Sequence, residues 1–172
     1  MYQQLRSVSR FAVGAFFLTT AAIPAADAQE TISTFFGQKK DAQFGSSVAL
    51  YNAGVLDRLA VGSPEWDNGR GRLEIFDGSK QKLLFALEGA AAGDQLGAAV
   101  ASLGDITGDH VEELIVGAPG ENGEQGRVRV LSGSDFSLLY DLHSVSEPSH
   151  FGKAVSDAGD VDADGVHDII IG

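Results

Sequence analysis

Gly62-Ser63-Pro64, Gly71-Arg72-Leu73-Glu74-Ile75 and Gly78-Ser79 return 55 residues later as Gly117-Ala118-Pro119, Gly126-Arg127-Val128-Arg129-Val130 and Gly133-Ser134. Leu83-Leu84 keeps the same step to Leu138-Leu139, and Gly172 stands one further step beyond Gly117. Upstream, Phe44-Gly45 matches Leu96-Gly97 and Phe151-Gly152 at steps of 52 and 55, so the first copy is three residues short between Phe44 and Gly62. One offset held across so many positions marks a repeat architecture, with units at about 44–95, 96–150 and 151–172.

Within a unit the pattern reads as four short strands. In the second they run near Gly97–Leu103, over the apolar Glu113–Gly117, over Arg127–Leu131 and near Leu138–Leu142. Arg127 and Arg129 alternate with Val128 and Val130 as in a half-buried strand. Asp77-Gly78 and Ser132-Gly133 are hairpin turns. A four-stranded antiparallel unit of this length is one blade of a β-propeller, so the expected class is all-β. Residues 31–35 precede Phe44 as Leu87 precedes Leu96, which makes them a lone fourth strand by register. About two and a half blades are expected, with the rest of the ring supplied by a longer chain.

The 172 residues carry 12 Lys+Arg against 24 Asp+Glu, for a net charge of -12. That field repels nucleic acid and anionic membranes and favours divalent cations. Cysteine is absent, which excludes disulfides, thiol nucleophiles and cysteine metal sites. Arg6 and Arg10 followed by apolar Phe11–Ile23 and by Ala26-Asp27-Ala28 read as a cleaved secretory signal over 1–28. The apolar run is shorter than the ~20 residues a spanning helix needs, and Pro24 and Asp27 close it. The mature chain is then 29–172, secreted or at the cell surface, with no transmembrane segment.

Asp160-Val161-Asp162-Ala163-Asp164-Gly165-Val166-His167-Asp168 lies between the first two strands of the third unit. Asp160, Asp162, Asp164 and Asp168 occupy positions 1, 3, 5 and 9, Gly165 allows the turn, and Val166 offers a carbonyl. Alternate oxygens converging in this way suit a hard cation, calcium before magnesium. A plain solvated turn would leave four carboxylates repelling one another. An EF-hand is excluded, because Ile171 stands at position 12 and strands flank the loop. Asp105, Thr107, Asp109, Val111 and Glu113 form a weaker copy, with His110 in place of the glycine. The first unit keeps only Asn52 and is expected to bind no metal.

Phe44-Gly45, Phe151-Gly152, Gly117-Ala118-Pro119 and the Asp loops resemble FG-GAP repeats, the blades of the integrin alpha propeller and of many bacterial secreted proteins. The resemblance covers about residues 31–172. It implies a propeller of about seven blades, calcium in the loops between strands one and two, and extracellular adhesion or ligand binding. Leu96 for Phe, Ser63 for Ala, and Thr107 and His110 in the second loop depart from the pattern.

Enzyme signals are poor: G-x-S-x-G, H-E-x-x-H and a P-loop are all missing. The leading reading is a calcium-stabilised module for an extracellular protein or glycan ligand. The alternative is the scaffold of a secreted polysaccharide-active enzyme whose catalytic groups lie beyond Gly172. Partners are expected on the face opposite the calcium loops. Trp66, the only tryptophan, sits there in a polar loop with Asp67 and Arg70, as a stacking or anchoring group would. The other reading of Trp66 is a ring folded over the blade edge.

Overall fold

The computed structural model describes residues 10–13, 32–54, 56–145 and 148–172. The first sheet is a meander of β3 (Ser47–Asn52), β4 (Asp57–Ser63), β5 (Arg72–Asp77) and β6 (Leu83–Glu88). The second repeats it with β7 (Ala99–Leu103), β8 (Glu113–Ala118), β9 (Arg127–Leu131) and β10 (Leu138–His143). The third begins with the antiparallel pair β11 (Val155–Gly159) and β12 (Asp168–Ile171). These are the blades expected from the repeat, and the ring is not closed among the described residues. The residues expected as a signal segment lie mostly outside the described ones. Of them, β1 (Arg10–Val13) runs parallel to β2 (Ile32–Phe35).

The loops between the second and third strands each tighten into one turn of helix, α1 (Trp66–Gly69) and α2 (Glu121–Glu124). Asp67 and Asn68 in the first, and Asn122 and Gly123 in the second, take positive φ. Asn, Asp and Gly tolerate that region best. In both turns the glycine after the helix donates back to its first carbonyl, Gly71 to Trp66 and Gly126 to Glu121, each at 3.0 Å.

The blades stack through their first strands: β3 lies beside β7, and β7 beside β11. Leu114-Ile115-Val116 in β8 is apolar without a break because both faces are covered. Leu114 and Val116 pack toward Leu73 and Ile75 of the first sheet. Ile115 packs with Val128 and Val130 toward Ile169 and Ile171 of the third. Leu59 and Val61 meet Phe35 of β2 on the far side of the first sheet.

The glycine motifs have a mechanical reason. Within each blade the glycine after the Phe or Leu donates to the glycine closing strand two: Gly45 to Gly62 at 3.0 Å, Gly97 to Gly117 at 2.9 Å and Gly152 to Gly172 at 2.9 Å. Between blades the same glycines meet face to face. A methyl group on Gly62 would sit 2.0 Å from the carbonyl oxygen of Gly97, and one on Gly117 would sit 1.9 Å from that of Gly152. Backbone packed this closely admits no side chain.

Candidate metal centres

The loops joining β7 to β8 and β11 to β12 adopt one conformation. Gly108 and His110 in the first, and Ala163 and Gly165 in the second, take positive φ at matching positions. Each loop is wound around its own carboxylates. Ile106 N–H donates to Glu113 at 2.7 Å, and Val161 N–H donates to Asp168 at 2.8 Å. His110 N–H donates to Asp105 at 2.8 Å, and Gly165 N–H donates to Asp160 at 2.9 Å. Val111 N–H reaches Asp109 at 2.9 Å, and Val166 N–H reaches Asp164 at 2.8 Å. His110 thus serves where glycine stands in the other loop.

This winding gathers Asp105, Asp109 and Glu113 so that one carboxylate oxygen from each lies within 4.8 Å of the others, and it does the same for Asp160, Asp162 and Asp168. Two further expected ligands bond within the loops. Asp164 lies outside that group of three and caps Val166 N–H, as its counterpart Asp109, which is within its own group, caps Val111 N–H. Thr107 directs its hydroxyl to Glu113 at 3.2 Å. Val111 and Val166 are held in the loops by those N–H bonds. The first blade has no such cluster among the described residues. Asn52 closes its short loop by accepting Gly54 N–H at 2.7 Å.

The electrostatics of the two clusters differ. Glu113 is fully buried, and burial pushes its carboxyl above the usual range; Asp105 and Asp109 push further, against the N–H of Ile106 and the Thr107 hydroxyl. Burial works in the same direction on Asp105, but the surrounding N–H groups, His110 and Gly108 first, outweigh it and hold its carboxyl low. The third-blade cluster is open to solvent. All donors are oxygen, three of them anionic in each set, so the residues fit a hard divalent cation.

The residue before the last carboxylate does a second job that the sequence reading missed. Glu112 accepts the N–H of Asn52 at 3.0 Å and the Ser102 hydroxyl at 2.7 Å. One step on, His167 bonds Asp157 at 2.9 Å, and a methyl group on Gly104 would meet the imidazole at 2.6 Å. That bond raises the His167 pKa. The 55-residue step already aligned Ser102 with Asp157 and Glu112 with His167.

On the opposite face, the expectation of an exposed Trp66 is corrected. The residue is only 7% exposed, with Lys39 and Arg72 each 4.5 Å from its ring centroid. The cations that cover the indole come from the segment before β3 and from the first residue of β5, so the ring folds onto the blade. Asp67 and Arg70 stay partly exposed, and Asp67 pairs with Lys39 at 3.2 Å and with Arg70 at 3.7 Å. Beside them, a shallow groove of about 520 Å³ separates Ala90–Asp94 from Gly120–Glu124.

The FG-GAP repeat family matches residues 96–131, the first three strands of the second blade with its acidic loop. Integrin alpha-4 of Xenopus laevis is 29% identical over 93% of this chain and 17% of its own length. Integrin alpha-5 of Xenopus laevis is 30% identical over 77% of the chain and 14% of its length. Integrin alpha-M of Mus musculus is 26% identical over 79% and 13%. The chain therefore spans less than a fifth of the length of these relatives. With its glycine contacts repeated from blade to blade, it is an integrin-like FG-GAP repeat protein.

Proposed function

We propose that this chain is a secreted, non-enzymatic FG-GAP propeller module that holds calcium in its second and third blades and takes part in extracellular adhesion or ligand recognition. The observation that carries the reading is the shared winding of the two acidic loops around Asp105, Asp109 and Glu113 and around Asp160, Asp162 and Asp168. Oxygen-only donors on loops without rigid helices favour calcium over magnesium, which demands tighter octahedral geometry. The likeness to integrin alpha chains supports the adhesion part. The partner is an extracellular protein or glycan, and its side is the face of the β4–β5 and β6–β7 loops. That face carries the groove between Ala90–Asp94 and Gly120–Glu124, with Asp67 and Arg70 nearby.

Calcium binds the native loops and not the unfolded chain, so it raises stability by mass action. Thermal unfolding of the full chain tests this. At calcium one hundred times its dissociation constant the gain is about 2.7 kcal/mol per site. Replacing Asp160 and Asp162 together with asparagine removes one site's share. A melting temperature that calcium does not move contradicts the reading.

A further inference from the structure

The first blade departs from the other two where they gather their carboxylates, and the strand register identifies the replacement. Tyr51 faces Arg58 across β3 and β4 as Leu103 faces Glu113 across β7 and β8. The 55-residue step runs from Arg58 through Glu113 to Asp168. A guanidinium therefore occupies the position that gives the later blades the final carboxylate of their cluster. Loss of the anionic ligands in the β3–β4 loop and gain of a fixed cation at the start of β4 fall at the same end of the blade.

Arg58 is half-buried and reaches the next blade. Its Nη1 donates to the carbonyl of Gly133 at 2.5 Å and to that of Ser134 at 3.3 Å, both in the turn between β9 and β10. Its guanidinium carbon lies 5.2 Å from the ring centroid of Phe136, which stacks on Phe85 of the first blade at 4.9 Å. The Tyr51 hydroxyl donates to Gly133 as well, at 3.4 Å. From the other side, Glu112 accepts Asn52 N–H, and its own N–H donates to the Asn52 carbonyl at 2.9 Å. Arginine is always charged, and its bonds to turn carbonyls are charge-assisted.

We propose that Arg58 is a positioning residue that staples the first blade to the second with a cation belonging to the chain itself, so this junction holds without metal. The contrast with the later blades rests on the calcium reading above; the staple itself does not. The test is thermal unfolding of the full chain and of Arg58→Gln, each in excess calcium and in chelator, with calcium binding measured in parallel. Arg58→Gln is expected to lower the midpoint by about 5 °C equally in both conditions, with calcium stoichiometry unchanged. A shift below about 1 °C, or one that calcium abolishes, overturns the proposal. If Arg58→Gln does not fold, Phe136→Leu removes the ring under the guanidinium and must give a smaller drop, again equal in both conditions; no drop overturns the staple. If the unmodified chain does not respond to calcium, the calcium reading fails, and the Arg58→Gln shift in plain buffer still decides the staple.

Discussion

At the residue scale the repeated letters divide into those that mark geometry and those that mark chemistry. Gly62 and Gly117 were legible as motif positions, but their reason was not, because it lies in the neighbouring blade: each approaches the carbonyl of the next Phe/Leu-Gly pair. A side chain there forces two backbones apart. Gly117→Ala is expected to cost roughly 3 kcal/mol, the upper end for overpacking a tight site, read as a lowered urea midpoint. A change within about 0.5 kcal/mol, ordinary for a surface position, would contradict the contact. Trp66 shows where letter-reading misleads. Its polar neighbours suggested exposure, yet Lys39 and Arg72 are the groups that bury it. Whether a charge beside an aromatic ring advertises or covers it depends on side-chain paths that sequence does not contain.

At the element scale the strands fell close to their expected positions, because apolar alternation and turn glycines act locally. β9 was expected at Arg127–Leu131 and runs there, and β10 extends one residue beyond Leu142 to His143. What the pattern left open was the cross-strand chemistry. Asp141 lies opposite Arg129 in the ladder and receives Arg127 on both carboxylate oxygens, while Arg127 and Arg129 both also donate to the buried Glu121 at 2.8 Å. Arg127 holds the Asp141 carboxyl below its ordinary 3.8. A carboxylate depressed in the folded state contributes stability above its unfolded value and loses it as pH falls through the folded one. The stability difference between the protein and Asp141→Asn is therefore expected to be full near neutrality and to shrink below about pH 4. Urea unfolding over that interval checks it; a difference that grows in acid would have the wrong sign. The one-turn helices α1 and α2 were not legible, since they depend on consecutive positive-φ residues and not on any helical periodicity.

At the scale of the whole molecule, the blades are alike in strands and unlike in how they are joined. The 55-residue step made the sheets, the glycine contacts and the two acidic loops legible together. It also aligns Arg58 with Glu113 and Asp168, but the contacts Arg58 makes lie in the next blade, where the letters do not show them. The central claim is that the chain holds calcium in the second and third blades and none in the first. Equilibrium dialysis of the full chain against radioactive calcium counts the ions directly. The account predicts two per chain, falling to one when Asp160 and Asp162 are both changed to asparagine. No bound calcium, or an undiminished count in that variant, would contradict it.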